Sequence, residues 1–121
     1  MNKSANKIIG QLGEDKAAEF LKKHGYKILE RNFRYSKIAE IDIIAKDYKT
    51  IVFVEVKTRS TTNFGHPYEA VSKAKLENIF QAALYYLAQT QEKYENYRID
   101  LISVLGKENP KIEHLKNISL N

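Results

Sequence analysis

Two segments of the chain, Glu40-Ile41-Asp42-Ile43-Ile44-Ala45 and Ile51-Val52-Phe53-Val54-Glu55-Val56-Lys57, set acids inside stretches that otherwise read as buried β-structure. Side chains alternate along a strand, so Glu40 and Asp42 are expected on one face, and Glu55 and Lys57 likewise on one. The short polar connector from Lys46 to Thr50 predicts a hairpin. If it is symmetric about Tyr48 and Lys49, Asp42 falls opposite Glu55 and Glu40 opposite Lys57. Opposed like charges destabilise a sheet; at about 5 Å in an effective dielectric near 20 the repulsion is roughly 3 kcal/mol. A hard divalent cation, which takes oxygen ligands, is the simplest compensation, with Lys57 as a second positive charge. The alternative is that the acids are solvated on a sheet edge, or that each pairs with its own Lys or Arg. The flanking Val, Ile and Phe argue instead for a central strand.

An acid on one strand followed by Glu-x-Lys on the next is a set suited to phosphodiester hydrolysis. Asp42 and Glu55 would hold Mg²⁺, or Mn²⁺ in its place, together with the main-chain carbonyl of Val56 and waters. Lys57 would orient the attacking water or stabilise charge building on the phosphorus centre. Glu40 either pairs with Lys57 across the hairpin or holds a second ion or a metal-bound water. There is no cysteine, so any metal must use oxygen or imidazole. His24, His66 and His114 fit no ligand pattern, and no small-molecule cofactor is expected.

The net charge is +5, and its distribution says more than its total. Between Lys22 and Lys75 there are twelve Lys or Arg against six acids, and three of those acids belong to the candidate site. Arg34, Lys37, Arg59, Lys73 and Lys75 thus surround an acidic centre. A phosphate backbone would be drawn to such a rim while a cation screens the middle, which makes DNA the expected partner. The competing reading is a solvated lysine surface. Tyr85 and Tyr86 read as packing residues rather than base-stacking ones.

The elements that must position these residues follow from periodicity. Ile8, Ile9, Leu12, Ala17, Phe20 and Leu21 predict a helix from about Ser4 to His24, stopped by Gly25. Glu14 lies on or beside its apolar face, either at the surface edge or aimed at the site. A strand is expected from Tyr26 to Arg34, then the hairpin, then a polar loop over 58–67. Leu76, Ile79, Phe80, Ala83, Leu84 and Leu87 predict a second helix from about Tyr68 to Glu92. Arg98 to Leu105 reads as a strand, with Arg98 and Asp100 as a structural ion pair, and Lys111 to Leu115 as a short edge piece. The order is αβββαβ, an α/β arrangement in one domain over 1–121 with its core at about 4–105 and a tail at 106–121. No signal-type apolar stretch and no segment of membrane-span length is present, so a cytoplasmic protein without membrane contact is expected.

Asp42 with Glu55-Val56-Lys57 resembles the PD-(D/E)XK nuclease motif. More narrowly, Gly10-Gln11-Leu12-Gly13-Glu14, Arg31-Asn32-Phe33-Arg34, Glu40-Ile41-Asp42, Phe53 to Arg59, Phe64-Gly65, and Ala70-Val71 followed by Lys73 and Lys75 resemble the YraN family. That family is bacterial and similar in fold to archaeal Holliday-junction resolvases, homodimeric metal-dependent endonucleases. The resemblance implies a restriction-endonuclease-like core, a mixed central sheet flanked by helices. It also implies Glu14 as the helix-one acid completing the site, Asp42 and Glu55 as metal ligands, Lys57 as the catalytic lysine, branched or structured DNA as substrate and a homodimer. Gln81 and Tyr85 are similar to the Gln-x-x-x-Tyr element of RecB-like nucleases, making Gln81 a further candidate DNA contact. The chain departs from the pattern with Ala39 where the family usually has Gly, and with Ile41 in place of the motif's proline. The competing expectation is a nucleic-acid-binding or protein-interaction module that keeps the metal site without turnover.

Overall fold

The computed structural model describes residues 3–59, 71–106 and 108–118. Helix α1 (Lys3–Lys23) leads into strands β1 (Lys27–Tyr35), β2 (Ala39–Asp47) and β3 (Thr50–Arg59), then helix α2 (Lys73–Gln89), strand β4 (Asn96–Leu105) and strand β5 (Lys111–Leu115). The strands form one sheet in the order β1-β2-β3-β4-β5, with β3 and β4 parallel and every other neighbouring pair antiparallel. This is the expected mixed α/β, restriction-endonuclease-like arrangement, with β5 added at one edge.

One helix covers each face. Ala17, Ala18 and Leu21 of α1 pack with Ile43, Ala45, Val52, Val54, Ile102 and Val104. On the other face Leu76, Ile79, Ala82, Ala83 and Tyr86 of α2 pack with Ile44, Ile51, Phe53 and Leu101. β3 is therefore covered on both sides, which is why its sequence runs Ile-Val-Phe-Val without polar alternation. A parallel pair needs a crossover, and the chain carrying α2 between β3 and β4 supplies it.

α1 stops where Gly25, at φ +87°, turns the chain. The N–H of Gly25 donates to Lys22 O at 3.1 Å and that of Tyr26 to Leu21 O at 2.9 Å, and Tyr26 and Leu21 share the α1-side core. These two bonds and the apolar contact form a Schellman cap, which aims the chain into β1.

Several boundaries differ from expectation. Thr58 and Arg59 continue β3, paired with Val104 and Leu105 of β4, rather than opening a loop. α2 starts at Lys73, because Ser72 caps it by accepting from the Lys75 N–H. Its buried stripe includes Ala82 and Tyr86, whereas Leu84 is exposed. Ile8 and Leu12 of α1, expected on its apolar face, are also exposed. The rest of the expected polar loop, with Phe64, Gly65 and His66, lies outside the described residues. Lys111 to Leu115 pairs with β4 as the expected edge piece, β5, but the stretch after it is more than a tail: Ile118 is buried in the α2-side core with its N–H donating to Ile99 O at 2.8 Å. Among the described residues no helix is long and apolar enough to cross a membrane.

Candidate metal and phosphate site

The β2–β3 hairpin has the expected register, Asp47 opposite Thr50 through Ile43 opposite Val54. The ladder stops one pair short of Asp42 and Glu55. There Asp42 takes over the role of a backbone acceptor: the N–H of Val56 donates to its Oδ2 at 2.8 Å. The two acids therefore flank the end of the ladder rather than forming an ordinary cross-strand pair.

Alternation breaks at the same place. Ile43 and Ala45 pack on the α1 side, yet Ile41 and Ala39, which strict alternation would put with them, pack on the α2 side. β1 inverts in step: Arg31 reaches Glu14 and Asp15 of α1, whereas Phe33 packs in the α2-side core. Asn32 sits at the inversion with φ +55°, a left-handed conformation that Asn tolerates better than most residues. With its amide turned to donate, Asn32 Nδ2 bridges Glu14 Oε1 and Glu40 Oε1, each at 3.0 Å. The expectation from alternation missed Asn32, although an Asn within a strand was a signal, since strands disfavour it.

The inversion also corrects the assignment of Glu40. It does not pair with Lys57. It stands opposite Arg34 of β1 and accepts from Arg34 Nη2 at 3.1 Å. Lys57 Nζ instead lies 3.8 Å from Glu55 Oε1 on its own strand, and Lys75 Nζ reaches the same oxygen from α2 at 3.4 Å.

Glu14 arrives by close packing. Gly13 is buried against β3, where a Cβ would run into Thr58 Oγ1, so the missing side chain lets α1 settle on the strand and bring the next residue over the ladder end. Arg31 Nη2 holds Glu14 Oε1 at 3.4 Å and Asp15 Oδ1 at 2.7 Å. Asn32, Glu14, Glu40, Asp42, Glu55 and Lys57 line one cavity of about 720 Å³. A neighbouring cavity of about 310 Å³ shares Arg34, Glu40 and Asp42 with it and adds Lys37 and Lys75.

The acids are held in a state water would not favour. Burial, and next the charge of Glu55, push Asp42 up to about 7, against the pull of the Val56 N–H. Burial raises Glu55 as well, although Lys75 and Lys57 oppose the shift. Glu14 is raised by burial and by Asp42, with Arg31 acting the other way. Among the described residues no three His, Asp or Glu side chains are grouped tightly enough to hold an ion as they stand.

The remaining expected residues fall at the margins. Lys73 is exposed at the start of α2 and Arg59 ends β3. Gln81 is exposed on α2 and lines neither cavity, while Tyr85 stacks on Tyr35 with centroids 4.9 Å apart. Asp100 is fully buried and structural, as expected: it accepts from Arg98 Nε at 3.0 Å and from the Asn117 N–H at 2.8 Å. Its Oδ2 also lies 2.8 Å from His114 Nε2.

Comparison with known proteins matches residues 13–104 to the family described as "Uncharacterised protein family UPF0102". The chain belongs to the UPF0102 family. Among its relatives, a UPF0102 protein of Persephonella marina is 46% identical over 110 residues, covering 91% of each chain. One of Geotalea daltonii is 49% identical over 117 residues, covering 95% of this chain and 91% of its own. One of Caldicellulosiruptor saccharolyticus is 50% identical over 96 residues, covering 79% and 80%. The YraN-like blocks of the sequence are thus those of UPF0102, and in this UPF0102 chain the matched span runs from Gly13 through the ladder end to β4.

Proposed function

We propose that this UPF0102 protein is a Mg²⁺-dependent endonuclease of the PD-(D/E)XK type, hydrolysing phosphodiester bonds in branched or structured DNA in the cytoplasm, similar in kind to Holliday-junction resolvases. The observation that carries the reading is the pair Asp42 and Glu55. Both have raised pKa values, Glu55 is 4% exposed, and Lys57 stands beside them at a cavity open to a ligand. Folding assembles these acids against their own repulsion and desolvation, and a bound dication removes that penalty.

The donors fit such an ion: all are oxygens, and Asp42 keeps Oδ1 outside its bond to Val56, a hard set that suits Mg²⁺ or Mn²⁺. Asp42 and Glu55 would hold it, with the Val56 carbonyl and Glu14 or Glu40 as further oxygens. When bound, the ion supplies Lewis acidity to the phosphate and a more acidic water. The chain's own residues do the rest. The Val56 N–H fixes Asp42, and Asn32 orients Glu14 and Glu40. Lys57 offers its ammonium to charge developing on the phosphate. Hydrolysis joins the water oxygen to phosphorus and breaks one P–O ester bond, the proton ending on the leaving oxygen. Lys37, Arg59, Lys73 and Lys75 supply cations for flanking phosphates, and a homodimer would offer two such sites to the two strands of a junction.

One observation favours a second reading, a nucleic-acid-binding or protein-interaction module without turnover: Glu14, the third acid, is already engaged by Arg31. Calorimetry with Mg²⁺ and Mn²⁺, together with incubation on four-way junctions, flaps and single strands, separates the two. The nuclease reading expects metal binding by the wild type, weakened about tenfold or more in Asp42→Ala, and junction cleavage reduced at least ~100-fold in Lys57→Ala. Metal binding and junction binding without cleavage support the module, and absence of metal binding by the wild type overturns the nuclease reading.

A further inference from the structure

Glu55 is the most deeply buried acid of the site, and part of its counter-charge comes from another element. Its side chain is 5% exposed, whereas that of Lys75, whose Nζ lies 3.4 Å from Glu55 Oε1, is 45% exposed. Lys57 meets the same oxygen at 3.8 Å from within β3. Lysine carries a compact charge on a flexible four-carbon stem, so a half-exposed lysine on a buried carboxylate can withdraw without disturbing the backbone. The helix cap uses the backbone N–H of Lys75 and leaves its side chain to reach Glu55. Lys75 also lines the cavity that holds Arg34 and Lys37, giving its ammonium a place to move where anions would be welcome.

We propose that Lys75 is an internal counter-cation of this site: it neutralises Glu55 until a divalent cation takes that carboxylate, and is then displaced into the Arg34 and Lys37 cavity. The inference rests on the metal-binding reading above and assigns Lys75 a positioning role distinct from that of Lys57. Glu55 Oε1 already meets two ammonium groups, and a dication brought to that carboxylate repels both, so the more exposed Lys75 competes with the metal for Glu55. Reciprocity then ties two measurable quantities. Whatever Lys75 adds to stability without metal through Glu55, it subtracts from metal affinity. A lysine that only packs or pairs structurally adds the same stability with and without metal.

The test uses the full chain as wild type, Lys75→Met and Lys75→Arg, with Mn²⁺ or Mg²⁺ titrated by calorimetry at pH 8 and denaturant unfolding in EDTA and at saturating metal. Lys75→Met is expected to bind metal about fivefold more tightly than wild type, with Lys75→Arg close to wild type. In EDTA Lys75→Met is expected to be less stable than wild type. At saturating metal that gap narrows by about 1 kcal/mol, the fivefold ratio converted through RT. Equal or weaker metal binding by Lys75→Met, or a stability gap that metal leaves unchanged, overturns the proposal while leaving the metal site standing. No heat from any of the three proteins overturns the metal site, and the counter-cation with it.

Discussion

At the scale of single residues, Asp42 and Asp100 show opposite uses of a buried aspartate. Asp42 has a folded-state pKa raised from 3.8 to about 7, so its burden on stability is fully present above that value and is relieved as pH falls from 7 toward 3.8. Asp42→Asn keeps an acceptor for the Val56 N–H but removes the charge. In EDTA at pH 8 it is expected to stabilise the protein by ~1–2 kcal/mol, with the gain shrinking toward pH 4. Urea unfolding at a series of pH values checks this, and a loss of stability at pH 8 would contradict it. Asp100 behaves the other way. Burial works against its ionised form, but the bonds from His114, the Asn117 N–H and Arg98 outweigh it and hold the carboxyl below its ordinary range. Its contribution is therefore complete at neutral pH and is lost only as pH falls below 3.8 through the lowered value.

Among the elements, α1 has the most exacting fit. Helix and strand approach closely only because Gly13 has no side chain to meet Thr58, and that approach carries Glu14 to the ladder end. Gly13→Ala gains helix propensity, but overpacking at a buried contact outweighs the gain. A net loss of ~1–3 kcal/mol is expected, read as a lower denaturation midpoint, with a weaker metal affinity than wild type because Glu14 is pushed off the site. Unchanged stability and affinity would show that the contact yields without consequence. β1 and β2 are the other demanding pair. Their shared inversion at Asn32 and Asp42 lets one hairpin feed Ile43 to the α1 face and Ile41 to the α2 face, leaving the acids at the seam.

Across the whole molecule the charge is segregated by burial. The lysines and arginines of the rim lie at the surface, while two polar clusters lie further in, the acids at the ladder end and the single buried Asp100 with Arg98 and His114. None of Arg98, Asp100, His114 or Tyr26 lines the acidic cavity. Arg98 Nη2 donates to Tyr26 Oη at 2.8 Å, so this second cluster ties β4 and the Asn117 turn to the start of β1. Asp100→Asn is expected to cost about 3 kcal/mol at pH 7 by leaving Arg98 poorly paired, with the deficit narrowing below about pH 4. Metal binding, measured by calorimetry, should be unchanged within about twofold, since the clusters act through separate contacts. A deficit that grows in acid would refute the assignment.

The chain alone determined the order of its elements, because apolar spacing and turn residues are local properties: the stop at Gly25, the turn at Tyr48 and Lys49, and the buried run of β3 all sit where periodicity puts them. It also determined the hairpin register that brings Asp42 and Glu55 to one place, and the acid and lysine types that point to a dication and a phosphate. Only the tertiary structure decided what happens past the last ladder pair. The inversion at Asn32 depends on two strands changing face together, so no single-strand pattern reveals it, and with it Glu40 passed from Lys57 to Arg34. The edge piece from Lys111 to Leu115 was legible and forms β5, but the burial of Ile118 beyond it was hidden for a similar reason, since that residue is held by its neighbours rather than by a pattern of its own. The engagement of Lys75 with Glu55 joins residues twenty positions apart through a helix and a strand, and only the packing of α2 on the sheet could bring that ammonium to that oxygen.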